Sequence, residues 1–184
     1  MKIGVIGLGM VGGAVRHGMN RIGHEVYGYD IKHEGTTLAG ALKTDIVFVC
    51  VPTPSRPDGT CDSSIVESVV AEIAKKKYRG LTVIKSTIEP GTTDRLKKKY
   101  PKLRIAFCPE FLRERAMYVD FVENHDVCII GAYKKIDFEL IKESHGSLPK
   151  QFAEVTPLEA EFAKYFSNVF NALRIVFANQ FYDV

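Results

Sequence analysis

The first thirty residues constrain the fold more than any other stretch. An apolar run at 2–6 leads into Gly7-Leu8-Gly9-Met10-Val11-Gly12, and a second apolar run at 25–29 ends in Asp30. Between them the spacing of apolar positions predicts a helix over 10–22. Strand, glycine turn, helix and strand form a right-handed crossover, which sets the two strands parallel in one sheet. The alternation then continues, with strands predicted at 46–50, 81–85, 103–107 and 127–130 and a weak one at 151–155. Helices are predicted near 36–42, 63–77, 91–99, 112–119 and 135–144. The strand runs are apolar on both faces, so helices must cover both sides of the sheet. The expected class is α/β: a Rossmann-like, doubly wound, mainly parallel sheet followed by the start of a long helix.

In that setting each part of the turn has a physical task. Gly7 permits the tight bend, Gly9 lets a pyrophosphate approach the backbone, and Gly12 lets helix and strand pack closely. The helix N-terminus offers free N–H groups and a partial positive charge to phosphates, so Met10 and Val11 belong to the same site. Asp30, 18 residues after Gly12, accepts hydrogen bonds from ribose hydroxyls and repels a 2′-phosphate. NAD is therefore the expected cofactor in preference to NADP, although Lys32 and His33 add positive charge nearby. The competing reading is a glycine turn that has lost its nucleotide. The agreement of strand, turn, helix, second strand and terminal acid weighs against it.

The bulk properties exclude several other classes. Twenty-five basic and 22 acidic residues leave a net charge of +3, too mild for a nucleic-acid surface. The lysine runs at 75–77 and 97–99 fall at predicted helix ends, where cations complement the dipole. Four cysteines, Cys50, Cys61, Cys108 and Cys128, show no metal-type spacing. Three of them lie in strand-like runs, which suits reduced thiols and a cytoplasmic location. The first residues superficially have the shape of a secretory leader, but the regular glycines and the later Asp30 reject that reading. No apolar run is long enough to span a membrane.

A doubly wound sheet binds ligands beyond the carboxyl ends of its strands. Those ends carry Val51-Pro52-Thr53-Pro54, then Lys85-Ser86-Thr87-Ile88-Glu89-Pro90-Gly91-Thr92-Thr93, then Cys108-Pro109-Glu110-Phe111-Leu112-Arg113-Glu114. Taken singly, Thr53 reads as a turn former, Thr92 as a helix cap, and Glu114 as a surface partner of Arg113 or Arg115. Gathered at one sheet edge, they read as a site. After the Thr156–Pro157 step a helical pattern runs to the last residue. It carries Phe162, Phe166, Phe170, Leu173, Phe177 and Phe181 on one face, and Glu161, Lys164, Asn168 and Asn171 on another. Glu161 also fits a plain solvated face; asparagines inside a helix do not, because their propensity is poor.

These segments closely resemble the UDP-glucose/GDP-mannose dehydrogenase family. The stretches "VPTP", "KSTIEPGTT", "PEFLRE" with "YVD", and "EAEFAKYFSNVFNALRI" are similar to its successive signatures, across essentially the whole chain. The resemblance implies oxidation of the C6 alcohol of a nucleotide sugar, UDP-glucose foremost, to a carboxylate in two NAD-dependent steps through a cysteine-bound thioester. Further implications are polysaccharide biosynthesis and a homodimer formed through the final helix. It implies that Gly7, Gly9, Gly12 and Asp30 hold the adenosine half of NAD, with Val51, Pro52, Thr53 and Ser86 along the cofactor. Thr87 and Glu110 would place the hydrolytic water or assist proton transfer, and Glu114 would act near the sugar. Lys164 and Asn168 would stabilise the alkoxide and the tetrahedral oxyanion.

Set against the family pattern, the expected division is a nucleotide-binding domain over 1–155, the first part of a central helix over 156–184, and no sugar-nucleotide domain. The family's nucleophilic cysteine belongs to that later domain, so the resemblance implies a truncated chain that is inactive by itself. Cys108 stands where the family usually has Asn or Ser, and reads as a buried, inert thiol. Arg115 replaces a small residue and Gln180 a frequent glutamate. Two alternatives compete: a β-hydroxyacid dehydrogenase domain, whose Gly-rich substrate motif is replaced here by "CPEFLRE", and a non-catalytic NAD-binding or partner module motivated by the Phe face.

Overall fold

The computed structural model describes residues 1–182. Seven strands, β1 (Lys2–Ile6), β2 (Glu25–Tyr29), β3 (Ile46–Val49), β4 (Leu81–Ile84), β5 (Arg104–Phe107), β6 (Val127–Gly131) and β7 (Gln151–Val155), form one sheet. Its order is β2-β1-β3-β4-β5-β6-β7. All neighbouring pairs are parallel except β5 and β6, which meet antiparallel at Phe107 and Gly131. The helices are α1 (Met10–Arg21), α2 (Leu38–Ala41), α3 (Ser64–Lys75), α4 (Thr92–Lys99), α5 (Met117–Glu123), α6 (Lys135–His145) and α7 (Pro157–Tyr182).

Two apolar layers sandwich the sheet. On one face, Ala14, Val15 and Met19 of α1, Phe121 of α5 and Ile141 of α6 pack on Ile3, Val5, Phe48 and Val83. On the other, Val66, Val70 and Ile73 of α3, Leu96 of α4 and Ala160 of α7 pack on Val47, Val49, Ile84 and Ile105. Successive strand residues point to opposite faces, so strands apolar throughout feed both layers at once. The lysine runs end α3 and α4 as expected, and the Lys97 ammonium donates to the carbonyls of Pro101 and Leu103.

One predicted helix is displaced. The expected element at 112–119 is an extended segment, a 3-10 turn at Glu114–Ala116 and only then α5. Side chains hold the first part out of helix. Glu110 Oε2 accepts from the Leu112 N–H at 2.8 Å, and the Arg113 guanidinium grips Asp120 through Nε at 2.8 Å and Nη2 at 2.7 Å. That guanidinium holds the Asp120 carboxyl far below the usual carboxylate range. Helix α7 opens with a reciprocal cap: Thr156 N–H and hydroxyl both donate to Glu159 Oε2, and Pro157 occupies the first helical position.

Candidate functional site

The sheet order reverses direction between β1 and β3, which is where an open α/β sheet leaves a crevice. A cleft of about 690 Å³ lies there. Its walls include Gly7, Gly9, Met10, Val11 and Asp30 from the first two strand ends, and Val51, Pro52 and Thr53 after β3. Ser86, Thr87 and Glu110 close it from the ends of β4 and β5.

The glycine turn is built as its sequence requires. Gly7 has a left-handed φ of 87°, and a Cβ there would meet the Cys50 carbonyl oxygen at 2.6 Å. Gly12 lies beneath the cleft, not on its wall: a Cβ would come within 1.8 Å of the Gly7 carbonyl oxygen. A Cβ on Gly9, by contrast, would find no atom within 4 Å, so the backbone there is open to a ligand. No side chain caps α1 and no acid lies in its first turn, leaving its N-terminal N–H groups for an anion. Asp30 Oδ2 accepts from the Leu8 N–H at 2.7 Å and Oδ1 from the Lys32 N–H at 2.9 Å. These N–H donors, Leu8 first, pull the Asp30 carboxyl below its ordinary range, so it is an anion at neutral pH. Open backbone, free helix N-terminus and adjacent carboxylate together fit a dinucleotide.

The far end of the cleft is assembled from distant segments. Ser86 is buried and its hydroxyl donates to the Val51 carbonyl at 2.6 Å, tying the β4 end to the β3 end. Lys164 on α7 is buried, and its ammonium donates to the Glu110 carbonyl at 2.6 Å and lies 3.4 Å from Oε1. A buried ammonium against a carbonyl and a carboxylate is a fixed positive end beside the Thr87 and Glu110 wall. Asn168, one turn further along α7, is exposed and does not line the cleft. The backbone of Glu114 opens the 3-10 turn, but its side chain lies outside the described residues.

Glu161 corrects a sequence expectation. It is fully buried, not solvated, and accepts from the Gly91 N–H at 2.5 Å, the Thr93 N–H at 2.8 Å and the Thr93 hydroxyl at 2.6 Å. The second half of "KSTIEPGTT" is thus held by the chain's own carboxylate, while Ser86 and Thr87 face the cleft. Nothing in the local spacing marks this partnership, which spans about seventy residues. The cleft also contains one cysteine that the sequence did not place there. Cys50 lines it, but burial pushes its thiol up to about 12.

The class these features define is an NAD-binding domain of an oxidoreductase. Residues 35–148 match the UDP-glucose/GDP-mannose dehydrogenase family, NAD binding domain, and the chain belongs to that family. GDP-mannose 6-dehydrogenase of Pseudomonas aeruginosa is 28% identical over 227 residues, covering 98% of this chain and 52% of the relative. UDP-glucose 6-dehydrogenase of Rickettsia prowazekii is 35% identical over 148 residues, covering 76% of this chain and 34% of the relative. Among solved structures, the UDP-glucose dehydrogenase of the archaeon Pyrobaculum islandicum superposes with a TM-score of 0.86 at 29% identity, over 97% of this chain and 51% of that one. A ternary complex of the Pseudomonas GDP-mannose dehydrogenase gives 0.83 at 27%, over 97% and 52%. The chain therefore spans about half the length of these full-coverage relatives. No helix among the described residues is long and apolar enough to cross a membrane.

Proposed function

We propose that this chain is the NAD-binding portion of a nucleotide-sugar 6-dehydrogenase that oxidises a C6 alcohol to a carboxylate. The observation that carries the reading is the Lys164 ammonium, brought by α7 to within 2.6 Å of the Glu110 carbonyl at the end of the cleft opposite Asp30. Bound NAD supplies the hydride acceptor, one molecule for each of the two oxidations. Thr87 and Glu110 would then hold the water that provides the second carboxylate oxygen, with the Glu110 carboxylate taking up its proton. Lys164, with Asn168 one turn on, stabilises negative charge as it develops on the C6 oxygen. Glu114 would act near the sugar, the role that the family resemblance implies. The substrate best matched to these relatives is UDP-glucose or GDP-mannose. The exposed apolar face of α7, including Phe166, Phe170 and Phe177, would pair two copies.

None of the described cysteines supplies the thiol such a two-step reaction uses. Cys50 is buried with a raised pKa, Cys61 is likewise raised by burial, and Cys108 and Cys128 are closed off in the core. The reading therefore predicts NAD binding by these 184 residues without carboxylate formation. Calorimetric titration with NAD, then NADH absorbance with UDP-glucose, GDP-mannose and a hydroxyacid panel, tests it. Binding without sugar turnover is the expected result. Uronate production by this chain would defeat the thiol argument, and hydroxyacid oxidation would transfer the domain to the β-hydroxyacid class.

A further inference from the structure

Behind the floor of the cleft lies a polar cluster that the dehydrogenase chemistry does not use. Cys108 follows β5, Cys128 lies on β6 and His145 ends α6, and all three are buried at 1% exposure or less. Their ligating atoms lie within 4.8 Å of one another, and the two sulfurs are 3.5 Å apart. His145 Nδ1 is 2.9 Å from the Ile141 carbonyl oxygen, so Nδ1 carries the proton and donates. Its Nε2 is then a lone-pair donor, buried and without a hydrogen-bond partner among the described residues. A ring held through one nitrogen by a backbone carbonyl, with its other nitrogen unpartnered and two thiols in the same buried cluster, suits a metal-ligating histidine.

From this geometry we propose that Cys108, Cys128 and His145 form a binding site for a soft monovalent d10 cation, Cu(I). The sulfur separation favours chelation over a disulfide. In trigonal geometry two sulfurs on one metal at bonds of about 2.3 Å stand about 4.0 Å apart, a smaller shift from the observed 3.5 Å than a disulfide requires. A disulfide needs about 2.05 Å and would have to draw the strands together. Coordination number and charge select the metal. There are three donors, which suits trigonal Cu(I), whereas a structural zinc site uses four. The Lys85 ammonium lies 3.0 Å from the Cys108 carbonyl oxygen and 3.6 Å from its sulfur. Two thiolates, one Cu(I) and that ammonium sum to zero; a divalent ion would leave a net positive charge among Phe48, Phe121 and the sheet. Binding forms two Cu–S bonds and one Cu–N bond and releases the thiol protons to solvent, with no change of oxidation state. Because all three ligands are buried, the ion enters when the core opens or as the chain folds.

The test is titration of the whole chain with Cu(I), anaerobically and under reducing conditions, against a chromophoric Cu(I) chelator, with Zn(II) in parallel. One Cu(I) per chain is expected to be withheld from the chelator and to raise the melting temperature as free metal rises. Cys128→Ser and His145→Gln should each weaken retention at least about 100-fold, while Cys61→Ser leaves it unchanged. X-ray absorption of the wild-type complex needs no variant, and should show two sulfurs and one nitrogen around the copper. Failure to retain Cu(I), retention lost in Cys61→Ser instead, preference for Zn(II), or a Cys108–Cys128 disulfide in place of bound metal would each overturn the assignment.

Discussion

At the start of α1, Gly9 opens the helix with no capping side chain and no acid in the first turn. At the start of α4, Gly91 occupies the same position with a left-handed φ of 91°, but Glu161 reaches in from α7 and accepts from the Gly91 and Thr93 N–H groups. Both helix starts have the same unsatisfied donors and the same positive end of a dipole. One is filled by the protein's own carboxylate and the other is left for a ligand's phosphates. The carboxylates beside them differ accordingly. Asp30, partly exposed at the cleft, has its pKa lowered by the Leu8 N–H, whereas burial raises that of Glu161. Helix N-termini alone therefore do not locate the site; what matters is which one the chain has not already satisfied.

Emptying the filled terminus should have the largest effect. Glu161→Ala leaves the buried Thr93 N–H and the half-buried Gly91 N–H without their partner and should cost about 3 kcal/mol in urea unfolding. A cost near zero would mean that water replaces the carboxylate and that α7 is not fastened there. The charge state refines this. The folded pKa of Glu161 is raised, so the native state holds the proton more tightly than the unfolded chain. Relative to Glu161→Gln, the wild type should therefore gain stability as pH falls through the raised value toward about 4.5, and lose it again toward neutrality. Unfolding at pH 5 and pH 7 measures the difference.

Filling the open terminus is the reverse experiment. Gly9→Asp puts a carboxylate at the N-cap of α1, where a Cβ meets nothing within 4 Å and φ is an ordinary −67°. The unliganded protein should gain about 0.5–1 kcal/mol from the cap. NAD affinity should fall by about 100-fold or more, because the new charge occupies and repels the pyrophosphate position. Stabilisation without loss of affinity would place the phosphates elsewhere. Asp30→Asn should have a smaller effect, about tenfold on NAD affinity, with relatively more tolerance of NADP. Since the Leu8 and Lys32 N–H groups hold the Asp30 pKa down, its contribution should be constant from neutral pH to about 5 and vanish only as pH falls through that lowered value.

The contrast between the two helix starts also explains what was legible in the sequence. The Gly7–Gly12 turn and Asp30 could be read directly because every part lies within one strand–helix–strand unit, where spacing fixes geometry. All seven strands followed from apolar runs for the same reason. Glu161 could not be read, since its partners are about seventy residues away and an acid on a helix looks solvated until the opposite wall is known. The displaced α5 has a similar cause: the Arg113–Asp120 pair and the Glu110 cap override a helical apolar pattern with side-chain bonds that periodicity does not register. The Cys108, Cys128 and His145 cluster has no spacing signature, because three separate elements bring it together.

The smallest predicted effect separates the two ends of the cleft. Lys164 touches the Glu110 carbonyl and carboxylate, does not line the cleft, and lies across it from the Gly9 and Asp30 end. Lys164→Met keeps most of the aliphatic stem and removes the ammonium. If affinity for NAD resides mainly in the glycine turn, the free α1 terminus and Asp30, this change should move the dissociation constant by no more than about threefold, or roughly 0.6 kcal/mol. The ammonium would then matter only as charge develops on a substrate oxygen, and its loss would appear in turnover of nucleotide sugar by a catalytically complete protein. A tenfold loss of NAD affinity in calorimetry would show instead that Lys164 organises the cofactor, and that the far wall belongs to binding as much as to chemistry.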